Sequence, residues 1–309
     1  MKLEKALDDL HRKMEHYVEQ YQTISARREG CYSFIKVTNA GETVSVHRLT
    51  SPLHSRVLSY ASILNPTPKV LYFSRHGESE FNVLGRIGGD ADLSPRGRLY
   101  AQALAAHFND KEPVAKLRVW TSRKRRTHQT VSAIKAHSFE QKGELDELDA
   151  GVCEGMSYEE MQEHFPQEFA WRDKDKLRYR YPWGESYVDI MHRLEPALLE
   201  LDQSTGNILV VSHQAVLRCM LGYFLDKQPE DLPYLNVPLH TIIKLTSEGY
   251  NYRMELLRLN IECVDTYRQQ PTNCSAQRSA EEALLTVPMH YDSLKFWHNQ
   301  SGTPLIQQH

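Results

Sequence analysis

The sequence predicts an α/β fold: a mostly parallel sheet with helices on both faces. Three observations carry this. From Lys69 onward, strand-like apolar runs alternate with helix-like amphipathic ones. The two strongest runs, Val70–Ser74 and Asn207–Ser212, are apolar through their interiors, as strands covered on both faces must be. Each run also ends close to a histidine, His76 or His213, where an open α/β sheet presents the carboxyl edge at which ligands bind.

The elements follow in order. Residues 1–22 place Leu3, Leu7, Leu10, Met14, Tyr17 and Tyr21 on one helical stripe. The stripe falls short of the ~3–4 heptads of a coiled coil, so packing against its own domain is expected, with a homodimer left open. Tyr32–Val37 and Thr43–Leu49 read as strands around a turn at Asn39-Ala40-Gly41, and Pro52–Leu64 reads as a helix. Asn65-Pro66-Thr67-Pro68 breaks the chain and bounds a first domain at residues 1–68. Beyond it, Ser94 caps a helix opening with Pro95 and carrying Ala101, Leu104 and Phe108 inward. Leu117–Thr121 is a strand, and a helix with Thr127, Val131 and Ile134 on one face follows. Tyr187, Ile190, Met191, Leu194, Leu198 and Leu201 mark a long amphipathic helix that Pro196 should kink or divide. After Asn207–Ser212 come a helix over Ala215–Leu225 and a strand pair, Thr241–Thr246 with Tyr252–Leu259, around Gly249. This second domain spans residues 69–265. Past Cys263 the chain turns polar, and residues 266–309 are expected to form a poorly ordered tail.

Composition narrows the function. The chain has 309 residues, 40% of them hydrophobic, enough for one large domain with an appendage. A net charge of −3 points to neither nucleic acid nor membrane. Basic residues cluster instead at Arg123-Lys124-Arg125-Arg126 and Lys174-Asp175-Lys176-Leu177-Arg178, as a local anionic ligand requires. Five scattered cysteines imply a reducing compartment without a disulfide framework. The opening residues lack a secretory h-region, and no apolar run approaches ~18 residues, so a cytoplasmic protein is expected. There is no Walker P-loop, His-Glu-x-x-His or two-metal carboxylate cluster, so neither cofactor nor metal is expected.

Four segments carry candidate chemistry. In Arg75-His76-Gly77-Glu78-Ser79, an imidazole beside a guanidinium and a close-approaching backbone suits phosphoryl handling: His76 attacks and Arg75 neutralises charge. His213, after the other strong strand, meets it across one crevice and donates to phosphoryl oxygens. The turn Thr121-Ser122, running into Arg126, opens a helix and offers N–H groups plus guanidinium. The loop Asp146-Glu147-Leu148-Asp149 supplies carboxyls. Beside phosphate a carboxyl is tolerated when protonated, the form a general acid for a departing alkoxide requires.

At this point the chain resembles a known family, the histidine phosphatases of the phosphoglycerate-mutase type. Within them it is most similar to the bisphosphatase half of the 6-phosphofructo-2-kinase/fructose-2,6-bisphosphatases. The similar stretches run from Arg75 to Asn82 and from Gly85 to Asp90, then through Asp149 to Glu154, Tyr179 to Pro182 and Gly184 to Tyr187. His213 to Val216, Tyr223 to Lys227 and Pro238 to Thr241 complete them, with Glu281-Glu282-Ala283-Leu284 resembling a tail motif of some members.

The resemblance implies a three-layer α/β/α sandwich and cleavage of the 2-phosphate of a sugar bisphosphate, fructose 2,6-bisphosphate, in the regulation of glycolysis. It makes His76 the nucleophile that forms a phosphohistidine. Arg75, Arg126 and His213 hold the 2-phosphoryl group, with Asn82 and Gly88 beside it. Glu147 protonates the leaving hydroxyl and then activates water. Tyr158, Arg172, Lys176, Tyr187, Gln214 and Arg218 grip the sugar and its 6-phosphate, with Arg172 and Lys176 one helical turn apart. Ser74 and Ser212 stand where many members carry Cys, His128 where an apolar residue is usual, and Trp183 where a small or basic one is.

Residues 1–66 resemble the close of the kinase half, through Ser33 to Val37 and the helix before Asn65. Without the P-loop no kinase activity is expected. Met1 and the continuous open chain favour a natural single-activity form over a fragment. The alternatives are a broader sugar-phosphate or phosphoglycerate phosphatase or mutase of the same fold, and a non-catalytic regulatory module. The phosphate clamp at Arg172, Lys176 and Arg218 favours a bisphosphorylated sugar over the first, and retention of both histidines, both arginines and Glu147 counts against the second.

Overall fold

The alternation beyond Lys69 resolves into one six-stranded sheet in a computed structural model that describes residues 2–63, 69–113, 116–248 and 251–267. The expected chain break at residues 65–68, the turn at Gly249, and the tail with its Glu281 motif beyond residue 267 lie outside the described residues. By contact the chain divides into two units, residues 1–65 and 66–309.

The first unit holds helix α1 (Lys2–Gln20), an antiparallel pair β1 (Phe34–Thr38) and β2 (Thr43–His47), and helix α2 (Pro52–Ile63). The stripe of α1 is not packed as expected: Leu7, Leu10, Met14, Tyr17 and Tyr21 are all exposed. Spacing reports that a helix has an apolar face, not what covers it.

The second unit contains β3 (Val70–Arg75), α3 (Glu80–Val83), α4 (Pro95–Lys111), β4 (Leu117–Thr121), α5 (Arg125–Val131) and β5 (Ser138–Gln141). Then follow α6 (Tyr158–His164), α7 (Pro166–Lys174), α8 (Tyr187–Gln203), β6 (Asn207–Ser212), α9 (Gln214–Phe224), β7 (Thr241–Glu248) and β8 (Asn251–Arg258). The sheet order is β5-β4-β6-β3-β7-β8, with β5, β4, β6 and β3 parallel and β7 and β8 joined antiparallel.

The period-2 alternation of strands sends Leu71, Phe73, Ile208 and Val210 to one face, against Ile190, Leu194, Leu198 of α8 and Val216, Leu217, Met220 of α9. Tyr72, Val119, Leu209 and Val211 go to the other, against Tyr100, Leu104 and Phe108 of α4 and Val131 of α5. Both faces are covered, as the apolar runs required. A third cluster joins Ala150 and Cys153 to Met161 and Phe169 of α6 and α7 and to Tyr181.

Two expectations are corrected here. Pro196 does not divide α8, which runs unbroken from Tyr187 to Gln203. Proline loses one backbone hydrogen bond, but burial of Leu194, Ala197, Leu198 and Leu201 around it holds the turns in place. Nor is the chain loose directly after Cys263. Val264 N–H donates to Glu78 Oε2 at 2.8 Å, and Thr266 Oγ1 accepts from Arg75 Nη1 at 2.6 Å. A polar composition cannot reveal that buried charges elsewhere need these partners.

Candidate active site

Strand register brings the two histidines together. β3 and β6 are parallel neighbours with Arg75 opposite Ser212, so the next residue of each, His76 and His213, leaves the sheet at one point of its carboxyl edge. His76 N–H donates to Ser212 O at 3.0 Å, and the imidazole centroids are 5.2 Å apart. On the other side of β6, Thr121 of β4 faces Val211, which delivers Ser122 to His213.

The turn after His76 is built for close approach. A Cβ on Gly77 would lie 2.6 Å from the carbonyl oxygen of Gly97, and one on Gly97 closer still to that of Glu78. Gly77 N–H donates to Thr130 Oγ1 at 2.9 Å. The fully buried Glu78 carboxylate accepts from Ser94 Oγ and from Arg96 Nε and Nη2, at 2.6–2.9 Å. Glu78 N–H donates to His240 Nε2 at 3.0 Å, while His240 Nδ1–H donates to the Ile261 carbonyl at 3.1 Å.

Hydrogen bonds assign both tautomers. His76 Nδ1 lies 2.7 Å from the Gly77 carbonyl, which can only accept, so the proton sits on Nδ1 and Nε2 keeps the lone pair. Arg126 Nη2 donates to His213 Nδ1 at 3.0 Å, so His213 carries its proton on Nε2 and donates it to Ser122 Oγ at 2.7 Å. Burial first, then the Arg126 and Arg75 guanidinium groups, hold the pKa of His76 well below its ordinary value. Burial, Arg126 and His76 do the same to His213. A neutral imidazole is the form that attacks phosphorus. Burial also lowers the pKa of Arg75, to about 10, and leaves it a cation at neutral pH.

The basic turn separates into two roles. Arg126 is buried, reaching His213 and, through Nη1, the Gly89 carbonyl at 2.8 Å. Arg123 pairs with Asp146 at 2.7 Å, and Arg125 with Asp90 and Asp92, at the exposed rim. Only one of the three guanidinium groups, that of Arg126, turns inward; Arg123 precedes α5 and Arg125 opens it on the exposed side. Within the acidic loop, Glu147 Oε2 lies 3.7 Å from His213 Nδ1. Gly88 has φ +63, and a Cβ there would collide with the Glu154 carboxylate. That carboxylate accepts from Gly89 N–H and, at 2.9 Å, from Ala150 N–H, tying the glycine loop to the acidic one. Asn82 sits on α3, where its Oδ1 accepts from Ser79 N–H at 3.0 Å in a capping box.

The remaining predicted residues form three groups. Arg218 Nη1 donates to Tyr187 Oη at 3.0 Å, and Arg218 Nε to the Leu235 carbonyl at 2.7 Å. Arg172 donates to Tyr181 Oη at 2.6 Å and to Tyr158 Oη at 3.1 Å, with its guanidinium 4.8 Å from the Tyr158 ring centroid. Lys176 Nζ donates to the Pro233 carbonyl at 3.1 Å and lies 5.2 Å from the Tyr234 ring centroid. The expected single helical turn shared by Arg172 and Lys176 is corrected: α7 ends at Lys174, and Asp175 caps it, so Lys176 lies past the helix. Asp175 stops it by accepting from Arg178 N–H, a local bond that competes with helix. Among the described residues, Arg75 Nε and Gln214 Nε2 are buried donors without a hydrogen-bond partner, a need that an anionic, oxygen-rich ligand meets. Trp183 is 92% exposed with φ 62 and walls no buried pocket.

Sequence reasoning gave no role to the side chains of Ser122, Glu78, Thr130, Glu154 and His240. Their signal is weak because each acts from strands or loops distant in sequence from the group it orients. Among the described residues no three His, Cys, Asp or Glu side chains are grouped to hold a metal ion, and no helix is long and apolar enough to cross a membrane.

The family model of the histidine phosphatase superfamily, branch 1, matches residues 71–260. The chain belongs to this superfamily. It is 49% identical over 288 residues to human 6-phosphofructo-2-kinase/fructose-2,6-bisphosphatase 1, covering 93% of this chain and 60% of that protein. The rat form numbered 4 is 47% identical over 287 residues, with 93% and 61% covered. The chain thus spans about 60% of the length of these curated relatives. Among solved structures, the alpha-ribazole phosphatase of Shigella flexneri is similar at TM-score 0.56 and 22% identity, covering 64% of this chain and all of that one. A mycobacterial glucosyl-3-phosphoglycerate phosphatase is similar at TM-score 0.52 and 22% identity, covering 61% and 98%. At these identities the two share the fold: an α/β/α arrangement with a mostly parallel central sheet.

Proposed function

We propose that the chain hydrolyses the 2-phosphate of fructose 2,6-bisphosphate to fructose 6-phosphate and phosphate, through a phosphohistidine on His76. The observation that carries this is the neutral His76 imidazole, its Nδ1–H committed to Gly77 and Nε2 left as the nucleophile, opposite His213 and among Arg75, Arg126 and Glu147. His76 Nε2 attacks phosphorus and the bond from phosphorus to the sugar oxygen breaks. Glu147 gives its proton to that oxygen. Water then attacks the phosphohistidine, Glu147 takes its proton, and the P–N bond breaks to release phosphate. Arg75 and Arg126 stabilise the charge gathering on the phosphoryl oxygens, with His213, Asn82 and Gly88 beside it; His213 spends its one N–H on Ser122 and holds Arg126 through Nδ1. Two displacements at a positioned imidazole replace one difficult hydrolysis.

Gln214 and Tyr187 are assigned to the sugar, and Arg172 with Tyr158, together with Lys176 and Arg218, to the 6-phosphate. The likeness to enzymes named fructose-2,6-bisphosphatase supports that substrate. Residues 1–68 are read as resembling the close of a kinase half, and residues 69–265 as the phosphatase. Four free cysteines among the described residues support a cytoplasmic setting. The exposed α1 stripe supports pairing of two chains.

Rapid quench with substrate labelled on the 2-phosphate tests the proposal. A burst of acid-labile phosphoprotein preceding free phosphate, absent in His76→Ala, is expected. Turnover of other phosphate esters without this one would overturn the substrate. Silence with every ester would overturn catalysis and leave a binding module.

A further inference from the structure

We propose that Arg193, on α8, is a positioning residue that holds Glu147 in place for proton transfer. Glu147 lies outside any strand or helix, two residues after the 3-10 turn Gly143–Leu145. The carbonyl groups closing that turn point to the Arg193 guanidinium. Its Nη1 donates to Glu144 O, and its Nη2 to Asp146 O at 2.7 Å and Glu147 O at 3.3 Å. Arg193 is fixed in turn by Glu185, through Nε to Oε1 at 2.8 Å and Nη2 to Oε2 at 3.1 Å. Glu185 reaches the same loop: its Oε2 accepts from Asp149 N–H at 3.1 Å, and its N–H donates to Asp149 O at 2.8 Å.

One ion pair therefore grips four backbone groups of the loop, on both sides of Glu147, and the Glu185 backbone holds a fifth. The Glu147 carboxyl meanwhile accepts from Leu148 N–H at 3.0 Å and comes within 3.7 Å of His213. Arg193 and Glu185 are each about three-quarters buried, so the pair is shielded from solvent. The planar fork of arginine spans the carbonyl groups; the point charge of lysine cannot.

The inference rests on the acid role proposed for Glu147, and leaving-group dependence separates the two. A sugar alkoxide needs a proton to depart and p-nitrophenolate does not. The quantity read is the ratio of kcat/KM on fructose 2,6-bisphosphate to that on p-nitrophenyl phosphate. Glu147→Gln and Arg193→Lys are both expected to lower the ratio, the latter by about 10–100-fold, the scale of a misplacement near 1 Å. A ratio that falls in Glu147→Gln alone overturns the role of Arg193 and leaves that of Glu147 standing. A ratio unchanged in both overturns the acid as well. Equal losses on the two substrates in Arg193→Lys mark a merely structural residue and also overturn the inference. If Arg193→Lys does not fold, Glu185→Gln gives the same reading. If the aryl ester does not turn over, the kinetic split on the sugar replaces it: kcat falls with KM little changed when the acid is displaced, and an unmoved kcat overturns the inference.

Discussion

At the scale of single residues, the site works by deciding where protons sit. A carbonyl acceptor at Gly77 and a cationic donor at Arg126 assign opposite tautomers to two imidazoles a ring's width apart. Neither assignment is visible in Arg-His-Gly or Ser-His-Gln as strings, because Gly77 acts through its backbone and Arg126 from another strand-helix unit. Motif spacing does reveal which residue types are present, and His76, His213, Arg75, Arg126 and Glu147 are gathered at one strand edge. Arg172 belongs to a separate group with two phenols. A cation that holds a phosphate away from the reacting one binds ground and transition states alike, and this is the role proposed for Arg172. Arg172→Ala is therefore expected to raise KM for the sugar bisphosphate about 10–100-fold, the equivalent of ~1.5–3 kcal/mol for a charged hydrogen bond, with a much smaller change in kcat. Steady-state kinetics checks this; an equal loss in kcat would place Arg172 in the phosphoryl step.

At the scale of elements, caps and breaks decide where the site's loops begin. Ser186 Oγ accepts from Asp189 N–H at 3.3 Å, and Asp189 Oδ2 accepts from Ser186 N–H at 2.8 Å, closing a capping box at the start of α8. Ser186→Ala is expected to cost about 1 kcal/mol, read as a lower urea midpoint at constant m-value. Fluorescence-monitored unfolding with an unchanged midpoint would count against it. The helix α4 announced itself through Ser94-Pro95, and both strong strands through their apolar runs. α6, α7 and β5 did not, since the stretch from 138 to 174 mixes charges and aromatics without a clear period. Of the kink or division that proline chemistry predicts at Pro196, the division does not occur, because burial on both sides holds the helix together.

At the scale of the whole molecule, the cost of the site appears in its pH dependence. Above about pH 6.5 histidines are neutral in native and unfolded chains alike. Below it the unfolded chain binds protons that buried His76 and His213 refuse, because their native pKa values are depressed, and His240 shifts the same way. Stability is therefore expected to fall as pH drops from 7 toward 5.5, with a slope of up to ~1.4 kcal/mol per pH unit for each refusing histidine. Carboxylates titrate lower and do not mimic this loss. Urea midpoints across that range check it; a flat profile would mean that the native imidazoles take up protons.

What the sequence by itself determined is the class of fold, and it named the candidate residues for the site. Runs apolar on both faces must be central strands, and chemistry placed just past them must meet at the carboxyl edge. The tertiary structure alone decided the geometry that turns those residues into a site: the register of Arg75 against Ser212, the tautomers of His76 and His213, and the Arg193–Glu185 grip on the Glu147 loop. It also decided that Lys176 leaves its helix and that the segment reaching Thr266 is tied to Arg75. Those are contacts between residues tens to hundreds of positions apart. Local propensity has no term for partners that only folding brings within hydrogen-bonding distance.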